Sequence, residues 1–240
     1  MEILGLIPAR SGSKGLKDKN IMPLCDHPLI EWSIKASLKA ESITRTVVST
    51  DSKKYQSIAI AAGAEVPFLR PAELSTDKSS DIDFVLHALE ELGKTGYFPD
   101  YVVHLRPTTP MRDVQIVDEA IRVLRNDSTL TSLRSVHEMS ESAYKNFEIS
   151  ENGRLLTIFD HLPNIEKANK ERQSFASTYQ ANGYVDVLSV RTIKEKRVMH
   201  GDNVFGFITP PVVEVDNEFD FQTLQAIASN DRSTFEALFG

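Results

Sequence analysis

Ile3-Leu4-Gly5-Leu6-Ile7 is a continuous apolar run close to the N-terminus of the 240-residue chain. Two further runs of this kind, Thr46-Val47-Val48-Ser49 and Tyr101-Val102-Val103-His104-Leu105, follow it. Amphipathic segments separate the three runs. Apolar strands that alternate with helices are typical of a parallel sheet covered on both faces. The sequence therefore predicts a doubly wound α/β fold, in which ligands bind at the carboxyl ends of the strands.

The same patterns extend the predicted fold through the rest of the chain. Helices are predicted near residues 29–38, 54–62, 82–92, 114–124 and 219–228, and further strands at 65–69, 130–133, 184–190, 204–208 and 212–215. Residues 136–178 are polar and irregular, with one hairpin predicted at 147–149 and 155–158. We predict one domain over residues 1–240, with an insertion at about 136–178 that is either a lid or a subunit contact.

Composition excludes several classes of protein. The net charge of -7 argues against a general nucleic-acid binder, which needs a broad basic surface. Cys25 is the only cysteine, so neither an internal disulfide nor a cysteine zinc cluster is expected. With no apolar run of membrane-spanning length and no basic leader, we expect a cytoplasmic protein without membrane contact.

The loop after the first apolar run is strongly basic. Residues 8–20 read PARSGSKGLKDKN and contain Arg10, Lys14, Lys17 and Lys19 against one acid, Asp18. Two glycines in this loop allow close approach of the backbone to an anion. The loop fits neither the P-loop nor the dinucleotide-binding pattern. On residue types alone, a triphosphate site and a solvated basic loop both stay open.

The segment IPARSGSKG at residues 7–15, with Lys19-Asn20 after it, resembles the nucleotide-binding signature of the CMP-sialic acid synthetase (acylneuraminate cytidylyltransferase) family. This resemblance implies a Rossmann-like three-layer nucleotidyltransferase that joins CTP to a nine-carbon 2-keto sugar acid, releases pyrophosphate, requires Mg²⁺ and forms a homodimer. The nucleotide-binding residues that it implies are Ala9, Arg10, Ser13, Asn20, Arg70 and Ser80. The catalytic residues that it implies are Arg10, Lys14, Lys19 and Asp216.

Residues 104–112 resemble the family's LLQPTSPLR segment but carry Arg106 where many members have a substrate-contacting Gln. A guanidinium can pair bidentately with a carboxylate, as a neutral amide cannot. Arg106 is thus a candidate for binding the sugar acid. Pairing with an internal acid is an equally open interpretation.

Glu214-Val215-Asp216 resembles the family's acidic metal-binding pair. Strand alternation would place both carboxylates on one face, and Mg²⁺ typically takes one or two carboxylates together with substrate phosphates. Asp216 and Glu214 are therefore the predicted metal ligands. In the alternative interpretation, Asp216 or Asn217 only caps the following helix, with Asp220 completing a capping box.

The insertion and the strand after it supply the remaining candidates. Arg172-Gln173 and then Tyr179, Asn182 and Gly183 resemble a family region that crosses to a second subunit and encloses the sugar acid there. The predicted acid-binding residues are therefore Arg106, Arg172, Gln173, Tyr179 and Asn182. Asn182-Gly183 is alternatively an ordinary turn.

Three rival functions stay open at this stage. The nearest is a synthetase for another acid, such as a CMP-Kdo-type enzyme. A nucleotide-sugar-dependent glycosyltransferase would release no pyrophosphate from CTP. A non-catalytic nucleotide-binding module would bind CTP without turnover.

Overall fold

The computed structural model describes residues 1–12, 15–158 and 162–240. The main sheet has six strands: β1 (Ile3–Pro8), β4 (Arg45–Ser49), β5 (Tyr101–His104), β6 (Ser132–Glu138), β9 (Tyr179–Ser189) and β10 (Val204–Ile208). Their order across the sheet is β10-β6-β9-β5-β1-β4. Strand β9 runs antiparallel to both of its neighbours, and the other pairings are parallel. The predicted, mostly parallel α/β sheet is confirmed.

Helices cover both faces of this sheet. They are α1 (Leu29–Lys39), α2 (Lys53–Ala61), α3 (Asp81–Lys94), α4 (Val114–Asn126), α5 (Val190–Lys196), α6 (Glu218–Asn230) and α7 (Ser233–Phe239). Apolar side chains of α1, α2 and α4 pack in one core, and those of α3 and α5 pack in a second core on the opposite face. A third cluster joins α1 to α6 and α7. The sheet is therefore doubly wound, as the sequence predicted.

Gly5 shows why α1 lies so close to the central strand. A Cβ at this position would lie 2.1 Å from Ser37 Oγ on α1. That hydroxyl is buried and lies 2.8 Å from Thr46 Oγ1 on β4. A glycine in β1 thus lets the helix approach the sheet and hold the neighbouring strand.

Two predicted strands are wrong. Residues 65–69 form only a single bridge, between Glu65 and Val47, because Pro67 has no N–H to continue a ladder. Residues 212–215 do not form a strand. They follow Pro210 and Pro211, which have no backbone N–H to donate to a neighbouring strand. The sequence pattern did not predict the short helices α5 and α7 or the first half of β9.

The insertion leaves the sheet after β6 and returns at β9. It carries the predicted hairpin, formed by β7 (Phe147–Ile149) and β8 (Leu155–Thr157). Another two-stranded ribbon, β2 (Pro23–Leu24) and β3 (His27–Pro28), follows the basic loop. The insertion and strand β10 both expose large apolar side chains, with Ile149 74% and Ile208 61% exposed. The insertion boundaries at 136 and 178 stay predictions.

Candidate active site

A cavity of about 200 Å³ lies where β1 and β5 end at the carboxyl edge of the sheet. The basic loop, the segment between α2 and α3 and the N-terminus of α3 complete its wall. Six residues assigned above to the nucleotide, to catalysis or to the acid line it: Arg10, Lys19, Asn20, Arg70, Ser80 and Arg106. The structure therefore brings these six together, although up to 96 positions separate them in the chain, from Arg10 to Arg106. Ser13 and Lys14 lie outside the described residues.

Asp51 anchors the start of the basic loop. Its carboxylate accepts hydrogen bonds from Ser11 N–H at 2.7 Å and Ser11 Oγ at 2.8 Å. Asn20 Nδ2 closes the far end by donating to the Arg10 carbonyl oxygen at 3.0 Å. Because Gly12 has φ +86°, the chain between these anchors turns through the left-handed region that favours glycine. The loop is therefore held at both ends, a geometry that presents Arg10 and Lys19 to the cavity.

Each described cation of this loop that faces the cavity has an acidic partner. Arg10 Nη2 lies 2.8 Å from Asp77 Oδ1, with both side chains about one-third exposed. Lys19 Nζ lies 3.0 Å from Asp216 Oδ1, with 14% of the lysine and 70% of the aspartate exposed. In both pairs water reaches the acidic partner, which weakens the ion pair. An entering polyphosphate can replace either acid.

Arg70 is a buried cation in the cavity wall. Its Nε donates to Ser49 Oγ at 3.0 Å and its Nη2 donates to the Ser49 carbonyl oxygen at 2.6 Å, while Phe84 lies against the guanidinium. Burial lowers the pKa of Arg70 to about 10, so it stays charged at neutral pH. Arg70 fixes the end of β4 and brings positive charge to the cavity.

Ser80 stands at the N-terminus of α3, where it forms a capping box with Asp83. The Ser80 hydroxyl donates to Asp83 Oδ2 at 2.7 Å, and Ser80 N–H donates to the same oxygen at 3.0 Å. These bonds lower the pKa of Asp83 below its ordinary value. The start of α3 is thereby fixed, and helix N-termini favour anions.

Arg106 pairs with two internal acids at the cavity wall. Nη1 lies 2.8 Å from Asp186 Oδ2, and Nη2 lies 3.0 Å from Asp81 Oδ2. Burial would lower the pKa of Arg106, but the two carboxylates raise it above its ordinary value. Of the two interpretations left open by the sequence, pairing with an internal acid is what the structure contains. Neither acid was singled out in the sequence, because Asp186 is 80 positions away and Asp81 is 25.

The segment that carries the predicted metal ligands has no regular secondary structure, so strand alternation cannot be used to place both carboxylates on one face. Asn217 caps α6 and forms the box with Asp220, which leaves the Asp216 carboxylate outside the cap. Val215 N–H donates to the Thr108 carbonyl oxygen at 2.8 Å, and Thr108 Oγ1 donates to Glu214 at 3.2 Å. These bonds fasten the segment to the cavity wall.

The basic loop packs directly on Asp216. A Cβ at Gly15 would lie 2.7 Å from the Asp216 carbonyl oxygen. In residues 1–12, 15–158 and 162–240, no group of three or more His, Cys, Asp or Glu side chains is arranged to hold a metal. One exposed carboxylate beside a cationic loop nevertheless fits a Mg²⁺ ion whose other ligands are phosphates and water.

The candidates from the insertion lie apart from this cavity. Arg172 and Gln173 line a second cavity of about 400 Å³, which Glu138 and Ser142 also line. Tyr179 begins β9 opposite Glu138 and is 46% exposed. In one chain, none of the three predicted acid-binding residues lines the first cavity.

Asn182 is buried, and it lies where the pairing of β9 with β6 changes register. Its Nδ2 donates to Thr209 Oγ1 at 2.7 Å, and its Oδ1 accepts from Tyr184 N–H at 3.2 Å. The pairing of β6 with β9 is irregular here, and Gly183 has φ +64°. Asn182-Gly183 thus forms an irregularity within one strand, and the described bonds of the Asn182 side chain are internal.

The family model described as Cytidylyltransferase matches residues 4–204. The chain belongs to the cytidylyltransferase family. It is 32% identical over 252 residues to an N-acylneuraminate cytidylyltransferase of Escherichia coli, covering 91% of this chain and 58% of that protein. It is 41% identical over 123 residues to a CMP-N,N'-diacetyllegionaminic acid synthase of Legionella pneumophila, covering 51% of this chain and 53% of that protein.

The chain thus spans little more than half the length of these two relatives. Among solved structures, a CMP:2-keto-3-deoxy-manno-octonic acid synthetase complexed with CTP has a similar fold, with a TM-score of 0.71 and 17% identity. The similarity covers 96% of this chain and 99% of that one. At this identity it supports the fold alone, which agrees with the predicted nucleotidyltransferase architecture. No helix in the described part of the chain has the length and apolarity to cross a membrane.

Proposed function

We propose that this chain transfers CMP from CTP to the anomeric hydroxyl of a nine-carbon 2-keto sugar acid, a nonulosonate, and releases pyrophosphate. The main support for this proposal is the cavity at the carboxyl edge of the sheet, which is lined by Arg10, Lys19, Asn20, Arg70 and Ser80. The named activities of the two relatives support the choice of CTP and of a sialic-type acid. A cytoplasmic location stays a prediction.

In the proposed nucleotide half, Arg10, Lys14 and Lys19 neutralise the phosphate oxygens of CTP. Arg10 and Lys19 reach the phosphates by exchanging their exposed acidic partners, Asp77 and Asp216. The remaining nucleotide contacts are assigned to Ala9, Ser13, Asn20, Arg70 and Ser80. No covalent bond to the protein forms in this reaction, so positioning and charge neutralisation supply most of the rate.

Asp216 is the proposed principal metal ligand, with Glu214 beside it. When bound there, Mg²⁺ would supply charge neutralisation and orientation at the reacting phosphoryl group. Asp216 becomes available when Lys19 turns to the phosphates. Glu214 is the secondary candidate, because its carboxylate already accepts a hydrogen bond from Thr108 Oγ1 at 3.2 Å, which fastens the segment to the cavity wall.

The acid half of the proposed site needs a second copy of the chain. Arg172, Gln173 and Tyr179 are assigned to the sugar acid, yet they lie away from the cavity of their own chain. A homodimer through the insertion would bring these residues to the partner's cavity and would cover apolar side chains such as Ile149. Arg106 completes the proposed acid-binding set from the chain that binds CTP, and the buried Asn182 contributes by holding the irregular part of β9 through its bonds to Thr209 and Tyr184.

Incubating the protein with CTP, Mg²⁺ and a panel of acids tests the proposal. The panel holds N-acetylneuraminate, N,N'-diacetyllegionaminate, pseudaminate and the eight-carbon acid Kdo. We expect pyrophosphate release and a CMP-linked product with a nine-carbon acid. If only Kdo is turned over, the substrate of the proposed reaction is this eight-carbon acid and not a nonulosonate. Binding of CTP without pyrophosphate release under any condition would refute the proposed enzyme.

A further inference from the structure

Arg106 and Asp81 face the same cavity as an ion pair, whereas Asp186, the other partner of Arg106, does not line the cavity. An anion that enters the cavity therefore finds the guanidinium already neutralised by Asp81. It must either displace that carboxylate or lie beside it and be repelled. The two acidic partners of Arg106 thus differ in what they do to an incoming anion.

Asp186 is a permanent partner. Its side chain is 1% exposed, and within the described residues its Oδ1 has no hydrogen-bond partner. The neighbouring His104 is fully buried, and burial holds its pKa well below the ordinary value, so it adds no charge to help Asp186. Removing Arg106 would leave a buried carboxylate unpaired, which is strongly unfavourable.

Asp81 is a replaceable partner. Its side chain is 48% exposed, so water can take the place of Arg106. It is also the first residue of α3, where backbone N–H groups and the helix dipole favour a carboxylate whether or not Arg106 is nearby. Little free energy therefore opposes the loss of the Arg106–Asp81 pair.

The rest of Arg106 is held still. Its carbonyl oxygen accepts from Arg112 Nη2 at 2.7 Å and from Ser33 Oγ at 3.2 Å. Because the backbone of Arg106 is fixed and its Nη1 stays paired with Asp186, Nη2 is the group of Arg106 that can change partner.

We propose that Asp81 occupies the carboxylate-binding position of Arg106 in the unliganded protein and that the carboxylate of the sugar acid displaces it. The inference rests on the proposed function for the identity of that acid. It makes Arg106 a specificity-determining residue that selects an anionic group, and Asp81 a competitor that weakens binding of every acid.

Calorimetric titration with N-acetylneuraminate, N,N'-diacetyllegionaminate and pseudaminate, with CMP present, tests this exchange without requiring turnover. Asp81→Asn should tighten the Kd of the acid by about two- to fivefold, the range expected for loss of an exposed ion pair. Glu65→Gln, which removes the acid from the surface pair with Arg45, is the matched control and should leave the Kd unchanged.

The double variant Arg106→Gln/Asp186→Asn avoids an unpaired buried charge and should weaken acid binding about tenfold or more. In that background, adding Asp81→Asn should change nothing. A Kd unaltered by Asp81→Asn, or equal tightening in both backgrounds, would overturn the exchange. Pyrophosphate release measured in parallel distinguishes failure of the exchange from failure of the proposed function. If pyrophosphate is released but Asp81→Asn leaves the Kd of the acid unchanged, only the exchange is overturned. If Asp81→Asn lowers the Kd but no pyrophosphate is released, only the proposed function is overturned. Absence of acid binding overturns both.

Discussion

The cavity at the carboxyl edge of the sheet and the cavity in the insertion differ in how complete they are. The first has cations held in place from several elements, with Asp51, Asn20 and Ser49 fixing the loop and Arg70. The second has Arg172 and Gln173 on a segment that also exposes large apolar side chains. This comparison supports the proposal that one chain builds the nucleotide half by itself and that a second copy completes the acid half at the insertion.

The largest expected effect tests the nucleotide half. Asp216→Asn should lower kcat by about a hundredfold or more, because losing a metal ligand removes several kcal/mol of transition-state stabilisation. The fold should persist, since Asn217 and not Asp216 caps α6. Glu218→Gln, a nearby exposed carboxylate, serves as the control in the same steady-state assay. Near-normal turnover with unchanged Mg²⁺ dependence would remove Asp216 from the metal site.

The next effect tests the acid half. Arg172→Ala should raise the KM for the sugar acid by about 10- to 150-fold, the loss of a charge-assisted bond, and leave the KM for CTP nearly unchanged. Arg191→Ala is a suitable control because that side chain is 84% exposed on α5. If both KM values rise together, Arg172 serves the nucleotide or the subunit contact. If neither changes, Arg172 has no part in binding the acid.

The smallest expected effect is on the stability of the α3 N-terminus, which forms part of the cavity wall. The pKa of Asp83 is lowered from 3.8 by hydrogen bonds from Ser80, so the ionised form is the stabilising one. Asp83→Asn should therefore reduce the free energy of unfolding at pH 7 by about 1 kcal/mol or less. The difference should disappear as the pH falls through the lowered pKa. Urea unfolding at pH 7 and pH 3 measures this, and an equal difference at both pH values would contradict it.

The sequence predicted the sheet well because its strands are continuous apolar runs. It failed at residues 65–69 and 212–215, where a proline lies within or just before an apolar segment that resembles a strand. For the cavity, the basic loop and Arg70 were found through a resemblance carried by local motifs. The acidic partners Asp81 and Asp186 were missed, since nothing local relates either residue to Arg106 and only the folded chain brings them together.

The central claim is that residues of two copies form each site, and mixing two inactive variants tests it most directly. Each variant should first give a mass of roughly twice 26.9 kDa by light scattering. In a closed two-fold dimer, an Asp216→Asn chain can still lend Arg172 to the intact cavity of an Arg172→Ala chain. Random exchange of subunits should therefore restore about a quarter of wild-type activity under subsaturating acid, since half of the dimers are mixed and each has one complete site. Activity no greater than the average of the two separate variants, once exchange is verified, would contradict a site shared between subunits.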